Sequence, residues 1–123
     1  MISAEVQNKA QIDDVQREAA KLVQNGSSGE AAKLLIDALK QDQTSALWND
    51  LATALYLGGN LAVAEQAYRC ALVLDGSNRQ AAVNLSLLLL KQGRFADSLP
   101  IITPHTASLT IDEKEAMIHL ASR

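Results

Sequence analysis

The sequence predicts an all-α fold of antiparallel helix pairs stacked side by side, and three observations predict it. Gly26, Gly59 and Gly93 recur at spacings of 33 and 34 residues, and a fixed period of this length is the mark of a helical-repeat array. Turn clusters, Asn25-Gly26-Ser27-Ser28-Gly29, Gly58-Gly59-Asn60, Asp75-Gly76-Ser77-Asn78 and Gly93-Arg94, separate stretches of helical period. The composition is 48% hydrophobic but only 3% aromatic, rich in Ala and Leu and poor in β-branched runs, which favours helix over strand. At 123 residues the chain reads as one domain, residues 1–123.

Taken in order, the pattern predicts helices at about 4–25, 28–41, 45–58, 61–74, 78–92, 95–103 and 111–122. Ser27 with Glu30, Ser77 with Gln80 and Thr110 with Glu113 match the capping box, in which the hydroxyl and the N3 side chain satisfy each other's backbone donors. Short turns make consecutive helices into αα-hairpins. Pro100 lies inside the sixth helix, where it removes a backbone hydrogen bond and crowds the preceding turn, so that helix is expected to kink or to start late. Thr103 to Leu109, with Pro104 and His105, reads as a longer connection.

Three units follow, at about 12–44, 45–78 and 79–112, with 113–123 as a capping helix or the start of a fourth. In the middle unit Trp48-x-x-Leu51-Ala52-x-x-Leu55 is followed by Gly59, Ala64, Tyr68 and Ala71. This unit resembles a tetratricopeptide repeat (TPR), departing from its pattern where Tyr56 follows Leu55 and where Gly76 replaces the closing proline. The first unit keeps Val15, Ala19, Leu22, Gly26, Ala31, Leu35 and Ala38 but has Glu18 at an apolar position. The third keeps Ala82, Leu85, Ser86, Leu89 and Gly93, then carries Ser98, Ile102 and His105 where the family has Ala, an aromatic and Ala. Met117, Leu120 and Ala121 repeat the spacing of Trp48, Leu51 and Ala52, so a fourth unit breaks off at Arg123, as in a fragment of a longer protein.

The resemblance implies a short right-handed solenoid in which small residues such as Ala52, Ala64 and Ala71 let helices approach, while Trp48, Leu51 and Tyr68 fill the gaps. Trp48 and Tyr68 are read as packing residues. It also implies a concave groove lined by the first helix of each pair. The groove positions carry over as Asp13, Gln16, Arg17, Ala20 and Val23, then Ala46, Asn49, Asp50, Thr53 and Tyr56, then Gln80, Val83, Asn84, Leu87 and Leu90. Asn49, Asp50, Thr53, Tyr56, Gln80, Val83, Asn84, Leu87 and Leu90 are the expected partner-binding set. Asn84 has the donor and acceptor to hold a peptide backbone. Arg17 is the one basic groove residue, which argues against a site for a terminal carboxylate. Val83, Leu87 and Leu90 form an apolar stripe that a partner helix or strand, the chain's own last helix or a second copy would cover.

The rest of the sequence narrows the function by class. A net charge of -3 and a pI near 5.2, with both signs interspersed, leave no basic footprint for nucleic acid or an anionic membrane. Ala81 to Leu90, the most apolar stretch, is about half the roughly 20 residues a membrane span needs. Met1 to Gln7 has no basic and apolar leader pattern, so a cytoplasmic address is the default. No catalytic motif, metal-ligand spacing or phosphate loop is present, and no cofactor is implied. His105 is expected in a solvated turn and His119 to pack; Asp13-Asp14 and Asp112-Glu113 fall near helix starts or on polar faces; Cys70 reads as a small buried residue. Three readings remain: an adaptor that binds a protein or peptide, the docking domain of a larger enzyme such as a glycosyltransferase or methyltransferase, and a self-assembling scaffold.

Overall fold

A computed structural model describes residues 3–122. Met1 and Ile2, within the stretch read for a leader, and Arg123, the end of the last expected unit, lie outside the described residues. Seven α-helices are present among the described residues: α1 (Ala4–Gln24), α2 (Ser28–Gln41), α3 (Ser45–Leu57), α4 (Leu61–Leu74), α5 (Arg79–Lys91), α6 (Phe95–Ile102) and α7 (Ile111–Ala121). Consecutive helices from α1 to α6 pack on each other, α1 and α5 also touch α3, and α7 packs on α5.

The turns between paired helices are built three times in the same way. Gly26, Gly59 and Gly93 hold φ of 81°, 88° and 76°, a left-handed conformation in which any side chain would strain. Around each glycine two backbone bonds close the preceding helix: Ser27 N to Leu22 O and Gly26 N to Val23 O, Asn60 N to Leu55 O and Gly59 N to Tyr56 O, Arg94 N to Leu89 O and Gly93 N to Leu90 O. This is the Schellman arrangement, and it satisfies carbonyls that would otherwise be orphaned. The residue after each glycine is also the N-cap of the next helix, its carbonyl accepting from Ala31, Ala64 or Ser98. One residue therefore ends one helix and starts the next.

That economy corrects one expected cap. Ser27 makes no side-chain cap bond, and its N–H, already given to Leu22 O, cannot supply the reciprocal half of a box with Glu30. A second is shifted: Asn78, not Ser77, caps α5 through its side chain, while Ser77 folds back onto Asp75 Oδ1 from both N (3.0 Å) and Oγ (2.6 Å). The third expected box, Thr110 with Glu113, forms in full at α7. Thr44 also caps α3, accepting from Leu47 N at 3.1 Å.

Pro100 neither delays α6 nor prevents it. The helix starts at Phe95 and ends at Ile102, two residues past the proline, and the chain continues as a 3-10 helix over Thr103–Ser108. The longer connection expected there is thus mostly a 3-10 helix.

Two apolar clusters make the core. The first gathers Ala19, Ala31, Leu35, Leu39, Leu47 and Leu51 between α1, α2 and α3. The second gathers Ala52, Ala64, Ala67, Tyr68, Leu85 and Leu89 between α3, α4 and α5. Half-buried Trp48 and Leu55 touch both and join them. Each fully buried Leu contributes about 1.5–3 kcal/mol by leaving water, and the alanines at the helix crossings allow that closeness. None of the described helices is long and apolar enough to cross a membrane.

Candidate functional site

The first helices of the pairs, α1, α3 and α5, form a face whose side chains are tied together across the repeat. Gln16 Nε2 donates to Asp50 Oδ2 at 2.8 Å, and Asn84 Nδ2 donates to Asn49 Oδ1 at 3.2 Å. Lys91 Nζ donates to the Tyr56 hydroxyl and stands 4.9 Å from the centre of its ring. The Thr53 hydroxyl donates to Asn49 O at 3.1 Å and is hydrogen-bonded to the Tyr68 hydroxyl at 2.9 Å. Partners one repeat apart come together because equivalent positions on successive first helices are neighbours.

Two adjoining hollows open along this face. One, of about 330 Å³, is lined by Gln16, Ala19, Ala20, Val23, Gln24, Leu35, Asn49, Asp50, Thr53, Gln80 and Asn84. The other, of about 180 Å³, is lined by Thr53, Tyr56, Leu57, Tyr68, Asn84, Leu87, Leu88 and Lys91. Thr53 and Asn84 belong to both, so the hollows are parts of one groove. Burial pushes the Asp50 carboxyl above the usual carboxylate range, against the bond from Gln16 that lowers it. Burial likewise raises the Tyr68 phenol, with Thr53 opposing and the nearby Tyr56 and Asp50 adding to the rise.

Of the expected set, Asp50, Thr53, Tyr56, Gln80, Asn84 and Leu87 line the groove with at least part of the side chain exposed. Three differ. Asn49 reaches the first hollow but is only 4% exposed, its carbonyl oxygen turned to Asn84. Val83 and Leu90 are 5% and 8% exposed and line neither hollow. They stand one repeat after Asn49 and Tyr56, on α5, the helix against which α7 with its buried Leu120 packs. The apolar stripe is therefore divided: Val83 and Leu90 are buried in the stack, and Leu87 is left facing the groove.

In the first unit Gln16, Ala20 and Val23 line the groove, whereas Asp13 and Arg17 do not, nor does Ala46 in the second. Arg17 instead pairs with Asp14 on the exposed surface. The groove's cation is Lys91, one position beyond the pattern carried over from the family. Tyr68, read as core, is indeed 3% exposed, yet its hydroxyl end reaches the groove floor from α4. Both lay outside a pattern restricted to first-helix positions. Cys70 is half-buried rather than buried and lines a separate hollow of about 360 Å³ with Trp48, Gln66 and Val73. His119 is exposed and does not pack. No cluster of His, Cys, Asp and Glu suited to a metal ion occurs among the described residues.

No family model matches the sequence, and no curated protein matches it. Among solved structures the fold is similar to the type III secretion translocator chaperone SycD of Yersinia enterocolitica. In complex with a peptide of the translocator YopD, that chaperone superposes with a TM-score of 0.73 at 19% identity, over 92% of this chain and 88% of its own. An alternative dimer of SycD gives 0.74 at 16% identity, over 90% and 92%. A further SycD structure gives 0.73 at 17% identity, over 93% and 87%. At these identities the likeness is one of fold, an all-helical repeat array.

Proposed function

We propose that this chain is a tetratricopeptide-type module that holds a peptide segment of another protein in the groove between α1, α3 and α5. The observation that carries the reading is the continuous groove of two hollows, floored by side chains already fixed to one another within and between repeats. A floor held in place binds with less ordering cost than a mobile one. Asn84 gives Asn49 one amide hydrogen and keeps its other amide hydrogen and its oxygen for a ligand backbone. Support for the repeat family comes from Leu51, Ala52, Ala64, Tyr68 and Ala71, all buried, and from the three repeated glycine turns. One of the similar structures holds a peptide, which agrees with this use of the fold. The three units at about 12–44, 45–78 and 79–112 are taken as the repeats of one domain.

Selection from a random peptide library tests the proposal. Ala20 is exposed and lines the larger hollow, so Ala20→Trp fills the groove without disturbing the core. Peptides enriched on the wild-type chain should lose binding by about tenfold or more on Ala20→Trp, with unchanged melting temperature. Equal binding to both chains would refute the groove.

A second reading, self-association, rests on a separate observation: Val73, Ile111, Ile118 and Leu99 are 86%, 73%, 65% and 61% exposed. Apolar side chains this open would leave water on contact with a second copy, and an alternative dimer occurs in the similar chaperone. Light scattering on a dilution series gives the answer, a mass that falls with dilution supporting assembly and a constant monomer mass excluding it.

A further inference from the structure

The groove is electrically uneven. Asp50 is the one charged residue lining the larger hollow, and Lys91 the one charged residue lining the smaller. Lys91 is matched, since its ammonium group rests against the Tyr56 hydroxyl and ring. Asp50 is not. It is half-buried, its only hydrogen bond among the described residues is the neutral one from Gln16 to Oδ2, and it joins no ion pair among them. A partly desolvated carboxylate with a free oxygen costs stability unless a donor of opposite charge reaches it. Around it the hollow has apolar walls, Ala20 and Val23 from α1, and neutral polar groups on Asn49 and Asn84.

An aliphatic stem ending in a cation fits such a hollow: the stem lies along the apolar wall while the charged end meets the carboxylate and the amide oxygens. We propose that the larger hollow is a recognition pocket for a single basic side chain, lysine or arginine, of the bound peptide, with Asp50 as its charge partner. This inference rests on the groove reading above and adds to it the ligand's chemistry. The burial that raises the Asp50 pKa agrees with it, because a carboxylate disfavoured when alone gains most from a bound cation. The cation at Lys91 sets the direction, repelling a basic residue from the smaller hollow.

The test uses acetylated, amidated pentapeptides of alanine with one central residue, titrated into the ¹⁵N-labelled chain and followed by amide chemical shifts. The central residue is arginine, or citrulline, which keeps the shape and loses the charge. The arginine peptide should shift amides around Gln16, Asn49, Thr53 and Asn84, and should bind about tenfold or more tightly than the citrulline peptide. Asp50→Asn, which can still accept from Gln16 and whose fold is checked by its melting curve, should erase the preference. Glu115→Gln, an equal charge change at an exposed residue outside both hollows, should leave it intact. Equal binding of the two peptides at the groove amides would overturn the charge inference and leave the groove standing. An arginine preference that survives Asp50→Asn, or shifts confined to other faces, would also overturn it; whether the groove binds peptides at all is decided separately by the loss on Ala20→Trp.

Discussion

Asp50 and Ser86 show how a single residue in this chain is held at a cost. Ser86 is fully buried and its hydroxyl has no partner among the described residues, whereas the equivalent position one repeat earlier is the fully buried Ala52. An unmet buried hydroxyl costs about 1–3 kcal/mol. Ser86→Ala should therefore raise the melting temperature by about 3–5 °C, the shift that about 1 kcal/mol produces in a domain of this size; a lower melting temperature would show that the hydroxyl has a partner. For Asp50 the effect depends on pH. Burial sets its folded pKa above its unfolded value, so between the two the folded state holds the extra proton and stability falls as pH rises. Asp50→Asn should melt at or above the wild-type temperature at neutral pH, and the gap should close as the pH drops below the ordinary carboxylate range. Glu65 behaves in the opposite sense, because its bonds to Arg94 and Arg69 outweigh burial and hold its pKa down. That carboxylate contributes stability above its unfolded pKa that is lost in acid, so Glu65→Gln should melt lower at neutral pH with a deficit that vanishes as the pH falls.

At the scale of the element, the helices were readable because their ends carry local chemistry. The left-handed glycines and the flanking apolar periods locate six of the seven helices within a residue at each end, and Thr110-x-x-Glu113 locates the start of the seventh. Legibility stopped where the outcome depends on what a backbone group is already doing. Ser27 has a capping sequence, but its N–H is committed to the previous helix. Thr103 to Ser108 turns as a 3-10 helix, with the Thr106 hydroxyl bonded to Thr103 O at 3.1 Å and the Ser108 hydroxyl to His105 O at 2.8 Å, and no residue in that run announces it. The two kinds of glycine make a paired prediction. Gly59→Ala has open space around it but a φ of 88°, so it should cost about 1–2 kcal/mol from backbone strain alone. Gly29, in the first turn of α2 with nothing nearby, should tolerate alanine with a gain of about 0.5 kcal/mol. Chemical denaturation of both variants checks the contrast, and equal effects would contradict it.

Across the whole molecule, each first helix is read correctly only together with the next one. The family pattern marked Asn49, Val83 and Leu90 as groove residues because it assigns a face by position, but in the stack all three are buried, and only Asn49 still reaches a hollow. For the same reason Lys91 and Tyr68, from outside the pattern, became part of the lining. The residues that survive as groove, Asp50, Thr53, Tyr56, Gln80, Asn84 and Leu87, are those that keep part of the side chain open to the hollows. Polar links such as Gln16 to Asp50 and Asn49 to Asn84 do in this face what the leucines do in the core, fixing one repeat against the next. The rigidity of the groove is a property of the stack and not of any one pair of helices.

The central claim is that this face binds a peptide, and a crystal structure of the chain with the tightest peptide from the library selection tests it most directly. The peptide should lie across α1, α3 and α5, with its backbone on Asn84 and side chains in the hollows at Asp50 and Leu87. A peptide seated instead in the hollow of Trp48, Cys70 and Val73, or on the exposed side of α7, would contradict it.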